Sequence, residues 1–342
     1  MSSVISILGR QIGAGDGTWI IAEVGINHGG DEGVCAEMID AAAEAGADAV
    51  KIQTVTPDLS YHPDTESYRL FKDSVLPEAS LVRLAERART RGVVLFSTPG
   101  DHEALALMQS VGMPAIKISS GLLTNLPLIG SAAATGLPLI MSTGMAFEAE
   151  VVAAVEAARR DGAVGVALMQ CTSLYPAPGE SLNLLAMESL RREFDVPVGY
   201  SDHHDGDLAC IAAVSMGASL IEKHFTLDKS ATGADHVISL EPAEFAAMVA
   251  AIRTVERMRG SAVKEPDAAE MPLRDGRHRR LAAARDLNAG HVLSGADLHL
   301  LRLPADLPAM PASRLEEVVG KRILCPVARL SGVTADMVEG IG

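Results

Sequence analysis

Residues 198–236 read VGYSDHHDGDLACIAAVSMGASLIEKHFTLDKSATGADH, and their pattern decides the fold. Residues 196–200 are short and β-prone, 207–216 form an Ala/Leu/Ile/Val helix stopped at Gly217, and 219–225 are a second apolar strand. Strand, helix and strand in that order make a parallel pair with a crossover, which sets the two C-terminal strand ends side by side. His203 lies just past the first end and His224 at the second, with Asp202, Glu222 and Asp235 close in sequence. Neutral imidazoles among carboxylates suit a borderline divalent ion, Mn, Co, Fe or Zn, with positions open for water or substrate. A single loop histidine reads as an ordinary hydrogen-bonded polar residue. Two at matching strand ends favour a joint site, and His204 is expected to face elsewhere.

Outward from this stretch the same unit recurs between Trp19 and Met258: a short apolar strand, a polar tip, an Ala-rich helix and a Gly stop. The eight strands are expected at 20–24, 49–53, 93–97, 115–119, 139–142, 166–170, 196–200 and 219–225. Their helices are expected near 34–45, 78–91, 103–111, 126–134, 148–160, 184–193, 207–216 and 243–258. Near-continuously apolar strands describe a parallel sheet buried on both faces, and eight of them close into a (β/α)8 TIM barrel. A doubly wound open sheet is the alternative. The barrel is favoured because the polar residues gather at C-terminal strand ends, where this fold keeps its active sites: Glu23, Lys51, Gln53, Ser97, Thr98, Lys117, Ser120, Ser142, Thr143, Thr172, Tyr175 and the two histidines. Residues 4–13, VISILGRQIG, read as a hairpin able to plug one barrel end.

The α/β barrel with its hairpin is assigned residues 1–258. A polar, Pro-containing linker follows at 259–280, and a small domain at 281–342. Some sixty residues are close to the lower limit for independent stability, so this domain is expected to dock on something. The formal charge of −15 argues against non-specific nucleic-acid binding and against attraction to anionic lipid. Cys35, Cys171, Cys210 and Cys325 show no CxxC and no dense spacing, which fits a reducing cytosol. No targeting sequence or apolar run of transmembrane length is seen, and the expected location is cytoplasmic.

Lys51 and Lys117 sit inside the apolar strands DAVKIQT and AIKISS, where an unpaired ammonium is costly to bury. One reading pairs them with Glu23 or Glu222 as structural ion pairs. The other puts them on a phosphate and a carboxylate, with the hydroxyls of Thr98, Ser120, Ser142 and Ser201 adding donors, so that the ligand is a small di- or trianion. The run GINHGGDEG is a structural turn first and an anion cradle second, with Asn27 and His28 near the mouth. Tyr175, held extended by Pro176, is a candidate pocket wall.

The segments IAEVGINHGG, VKIQT, FSTP, KISSG, STGM, CTSLYP, GYSDHH and EKHFTLD, in this order, resemble the sialic acid synthase family, and the tail resembles the antifreeze-like (SAF) domain that closes those enzymes. The resemblance implies metal-dependent condensation of phosphoenolpyruvate with the open-chain aldehyde of an N-acetylated amino sugar, giving a nonulosonic acid and phosphate. It implies that His203 and His224 hold the ion, manganese first with magnesium or cobalt as alternatives. Lys51, Thr98, Lys117, Ser120, Ser142 and Ser201 would hold phosphoenolpyruvate, with Tyr175 at the pocket wall. Glu23 would transfer a proton or position water, Asp235 would reach the ion through water or bind the sugar, and Glu222 would orient the site. The tail implies a domain-swapped homodimer in which Arg302 enters the partner's site. One departure stands out: Leu122 occupies the position of a sugar-contacting glutamate, which favours a 6-deoxy diacetamido sugar or another aldehyde as acceptor. Gly100, where a bulky residue is usual, is expected to loosen the same corner. A phosphorylated acceptor would require additional arginines at the strand ends, and an inactive sugar-phosphate binder would not need both lysines and both histidines.

Overall fold

The computed structural model describes residues 4–13, 15, 17–233 and 235–341, and for Asp275 the backbone alone. The chain divides into two compact units, Met1–Gly260 and Ser261–Gly342.

In the first unit β1 (Val4–Ile7) and β2 (Arg10–Gly13) form the antiparallel hairpin. Eight parallel strands follow: β3 (Trp19–Gly25), β4 (Ala49–Thr54), β5 (Val94–Pro99), β6 (Ile116–Ile118), β7 (Leu139–Ser142), β8 (Val166–Cys171), β9 (Val198–Asp202) and β10 (Leu220–His224). They pair in chain order and close through β10 and β3 into one barrel, so the open-sheet alternative is excluded. Successive side chains of a strand point to opposite faces. The outward set, such as Ile20, Ala22, Val50, Ile52 and Ile221, packs under the surrounding helices. The inward set is apolar at the N-terminal end, where Trp19, Ile21, Ala49, Phe96, Ala115, Ile140, Ala167, Met169 and Leu220 meet Ile5, Ile7 and Ile12 of the hairpin. The hairpin is therefore the plug that its alternation foretold.

Several helices carry a side-chain N-cap, from Asp31, Thr65, Asp101 and Asn125. Asp101 caps the helix His102–Val111 by accepting from the Ala104 N–H at 2.8 Å, and Gly112 ends it in the left-handed region at φ 77°. Two short helices, Pro57–Ser60 and Glu66–Lys72, were not foreseen and fill the long connection after β4. They are too short for a 3.6-residue pattern to be legible.

The second unit begins inside the stretch read as a linker, part of which is helical (Met271–Arg277, with Pro272 in its first turn). Its sheet pairs β11 (Arg280–Ala283) with β12 (Leu298–Leu301), over a core that includes Leu281, Leu287, Leu293, Ile323 and Val333. Buried Asp297 holds its loop together, accepting from Arg285 at 2.9 Å and from the N–H and hydroxyl of Ser294 at 2.9 and 2.7 Å. Among the described residues no helix is long and apolar enough to cross a membrane.

Candidate active site

One pleat beyond the apolar layer, the barrel interior turns polar on every strand. Ile21 gives way to Glu23, Ala49 to Lys51, Phe96 to Thr98, Ala115 to Lys117, Ile140 to Ser142, Met169 to Cys171, Gly199 to Ser201 and Leu220 to Glu222. Each of these polar residues is at most 5 % exposed. Buried polar groups need partners, and here they find one another. Lys51 Nζ lies 2.9 Å from Glu23 Oε1 and 3.7 Å from Glu222 Oε1, and donates to Thr98 Oγ1 at 3.3 Å. Lys117 Nζ donates to Ser142 Oγ at 2.7 Å and to Glu222 Oε1 at 3.3 Å. Ser201 Oγ donates to the same oxygen at 3.0 Å, and Gln53 Nε2 to Glu23 Oε1 at 3.1 Å. Both lysines thus hold the structural ion pairs considered from sequence, and two ammoniums balance two carboxylates.

The balance leaves atoms over. Glu23 Oε2, Glu222 Oε2 and His224 Nδ1 are buried and have no hydrogen-bond partner. Orphaned oxygens of this kind cost stability unless something else meets them. The two carboxylates are pushed in opposite directions. Burial, with the Glu222 charge added, raises Glu23 above the usual carboxylate range despite Lys51. Burial would raise Glu222 as well, but Lys117 and Lys51 overcome it and hold that carboxyl at about 2. Lys117 itself is lowered by its burial. Glu222 is thereby the fixed charge that holds the lysines, and Glu23 the group able to carry a proton.

The two imidazoles flank this cluster with ring centres 5.3 Å apart. A metal–nitrogen distance of about 2.1 Å puts the centres of two rings sharing an ion about 4.6–5.4 Å apart at ligand angles of about 90–110°. His203 Nδ1 donates to the Thr172 carbonyl at 2.7 Å, which leaves Nε2 as the nitrogen for a ligand. Burial lowers the ring's proton affinity, but Cys171 and the Thr172 carbonyl outweigh it and raise it, so an ion there would displace a proton. Burial lowers His224 to about 4, so it is neutral at pH 7, as a metal ligand must be. Asp235 Oδ2 stands 3.7 Å from His224 Nδ1. Among the described residues no three His, Cys, Asp or Glu side chains form a ligand set, so an ion on these imidazoles would complete its shell with water or substrate.

Several expected residues are placed differently. Asp202 is not in the barrel interior: it points outward and pairs with Lys223 at 2.8 Å, because Ser201 takes the inward position next to it. Leu122 ends the turn Ser120–Leu122 and packs half-buried against the apolar layer outside the barrel, not among the polar side chains. Ser120 Oγ accepts from the Gly144 N–H at 3.0 Å and meets the inward Cys171 side chain. Gly100 does not loosen its corner. A Cβ there would lie 2.6 Å from Val55 Cγ1 and 2.8 Å from Ser60 Oγ, so the helix Pro57–Ser60 already fills the space. Asp101 pins that helix, accepting from the Thr56 N–H and the Ser60 hydroxyl at 2.7 Å each. Tyr175 is half exposed and lies over His203, ring centres 4.1 Å apart. Asn27 donates from Nδ2 to the Phe225 carbonyl and to Ser239 Oγ, both at 3.1 Å, and so joins the loops after β3 and β10. Arg302 is exposed just past β12. Sequence reading missed Cys171, whose Sγ is 3.7 Å from His203 Nδ1. The alternation Ala167, Met169, Cys171 marks it as inward.

Residues 38–264 match the NeuB family and residues 278–339 the SAF domain. The chain belongs to the NeuB family. This NeuB-family chain is 38% identical over 323 residues to the N,N'-diacetyllegionaminic acid synthase of Legionella pneumophila, covering 89% of its own length and 90% of the relative. It is 30% identical to human N-acetylneuraminate-9-phosphate synthase, covering 98% and 96%. A crystal structure of the N-acetylneuraminic acid (sialic acid) synthetase of Leptospira borgpetersenii superposes with a TM-score of 0.77 at 34% identity, over 81% of this chain and 98% of that one. A truncated heptulosonate 7-phosphate synthase from Thermotoga maritima, 19% identical with a TM-score of 0.60, shares the fold.

Proposed function

We propose that this NeuB-family chain condenses phosphoenolpyruvate with the open-chain aldehyde of an N-acetylated amino sugar, releasing a nonulosonic acid and inorganic phosphate. The observation that carries the reading is the buried cluster of Lys51, Lys117, Glu23 and Glu222, with unpartnered carboxylate oxygens beside two imidazoles. It is supported by the relatives, named as synthases of legionaminic, pseudaminic and neuraminic acids. In the reaction, C3 of phosphoenolpyruvate bonds to the aldehyde carbon, water oxygen adds at C2, and phosphate leaves with the bridging oxygen.

Lys51 and Lys117 bind the phosphate and carboxylate of phosphoenolpyruvate as charged donors, with Thr98, Ser142 and Ser201 turning their hydroxyls to the same anion. Two lysines already balanced by two carboxylates cannot hold a trianion unless positive charge is gained, and Glu23 helps by taking up a proton at Oε2. In the reaction that proton serves the aldehyde oxygen or returns from the attacking water. His203 and His224 fit a divalent ion, manganese first; when bound, such an ion supplies Lewis-acid polarisation of the aldehyde carbonyl. Tyr175 shields this corner from bulk water. Among the described residues the fully buried cations are lysines and none is an arginine, which favours an acceptor without a phosphate of its own. The higher identity to legionaminic acid synthases favours a 6-deoxy diacetamido sugar. The exposed Arg302 is assigned to the partner's site in a homodimer.

The test is phosphate release from phosphoenolpyruvate by metal-stripped protein, with and without Mn2+, across aldose acceptors. Release that needs both the ion and an N-acetylated amino sugar, and is lost in a folded His224→Ala variant, is the expected result. Full activity in chelator, or no release with any such acceptor, would refute the reading.

A further inference from the structure

The outer face of the barrel wall behind His203 carries a second ionic cluster. Strands β9 and β10 run in register, Ser201 beside Glu222 and Asp202 beside Lys223. The inward pair is joined at 3.0 Å inside the site. The outward pair is joined at 2.8 Å between wall and helices, with both side chains fully buried. A fully buried ion pair is weak evidence for stability, since well-packed apolar residues of the same volume do as well or better. Its position offers a different reason.

Asp202 and Lys223 close on the backbone of the residue that follows His203. Asp202 Oδ1 accepts from the His204 N–H at 2.9 Å, and Lys223 Nζ donates to the His204 carbonyl. Tyr200 Oη donates to Asp202 Oδ1 at 2.9 Å and Cys210 Sγ to Oδ2 at 3.4 Å, so the carboxylate is held by four donors. Both backbone polar groups of His204 are thus gripped by side chains that cannot shift without unmaking the cluster. The His203 carbonyl in turn accepts from the Ala177 N–H at 2.9 Å, and its ring donates to the Thr172 carbonyl. Backbone and ring are fixed from opposite sides, which leaves Nε2 one direction to face.

We infer that Asp202 and Lys223, with Tyr200 behind them, are positioning residues that aim His203 at its ligand from the far side of the barrel wall. The inference rests on the reading of His203 and His224 as a divalent-ion site. Groups that hydrogen-bond a metal ligand itself typically change affinity by about 10–100-fold when removed, and the same scale is expected of these groups, which hold the backbone next to that ligand.

The experiment compares metal-stripped wild type with the double variant Asp202→Asn, Lys223→Met, which removes both charges together and leaves neither uncompensated. Mn2+ binding is read from the electron paramagnetic resonance signal of the free ion, and folding from the thermal unfolding of the same samples. A Kd raised about 10–100-fold in a folded variant, with its melting temperature kept within a few degrees, is the expected result. If the double variant does not fold, Tyr200→Phe removes one donor from Asp202 and keeps the pair, and must raise Kd by about threefold or more. Unchanged Mn2+ affinity in whichever of these variants is folded overturns the inference and leaves the ion site standing. Wild type that binds no Mn2+ overturns the ion site and this inference with it.

Discussion

Replacing Lys117 by Met tests the charge balance on which the site is built. Wild type sets Lys51 and Lys117 against Glu23 and Glu222, and the variant leaves one negative charge in excess in a fully buried cluster. Glu222 is held at about 2 against an ordinary value of 4.5, and that difference corresponds to about 3 kcal/mol of folding stability at neutral pH. Removing one of the two lysines that hold it there should cost a similar amount, about 2–4 kcal/mol, as expected when one partner of a buried pair is lost. Adding Glu222→Gln restores neutrality, with Lys51 still facing Glu23, and should return the double variant to within about 1 kcal/mol of wild type. The depressed carboxyl contributes stability above pH 4.5 that is lost as pH falls towards 2, so the deficit of the single variant is full at pH 7 and narrows below about 4.5. Urea unfolding followed by fluorescence measures this in the barrel alone, because the one tryptophan, Trp19, is buried in its interior. A double variant no more stable than Lys117→Met would show that shape, not charge, sets the penalty. Both variants should lack phosphate-releasing activity, since the anion has lost a donor.

Leu122→Glu should leave acceptor preference unaltered, because Leu122 packs outside the barrel and away from the inward polar side chains; a rise of about tenfold or more in kcat/KM for N-acetylmannosamine in a folded variant would restore the sugar-contacting role that the resemblance gives this position. Gly100→Ala should cost about 1–3 kcal/mol because its Cβ would overlap Val55 Cγ1, and Val55→Ala should recover part of that; a neutral Gly100→Ala in urea unfolding would show that the Pro57–Ser60 helix yields freely. Burial lowers His28 to about 4 from 6.5, so the unfolded chain takes up a proton first and stability falls by up to about 3 kcal/mol between pH 6.5 and 4. His28→Asn, able to keep the acceptor for the Gly30 N–H, should lose correspondingly less over that interval, and equal pH slopes would count against the account. Arg302→Ala and His224→Ala chains, each expected to be inactive, should regain activity on co-refolding if Arg302 acts in the partner's site; demonstrated heterodimers without activity would exclude this.

The order of strands and helices, the closure into a barrel and the plugging hairpin were legible in the sequence because period and polarity are local properties. So were the inward residues Glu23, Lys51, Lys117, Glu222 and His224, since two-residue alternation assigns each strand position a face once the strand is recognised. Which partner each inward charge takes was not legible. That Lys51 meets Glu222 as well as its neighbour Glu23, and that Lys117 meets Glu222, depends on bringing β10 against strands far from it in the chain. Asp202 illustrates the limit most plainly: next to a histidine in sequence it looks like a ligand, yet one step of the pleat sends it through the wall to Lys223. Gly100 shows the same limit for space, because an absent side chain suggests room and only the folded connection after β4 shows Val55 and Ser60 already in it. Local chemistry selects the elements and their faces; distances across the barrel, and hence charge balance and proton affinity, arise only when the eight strands close.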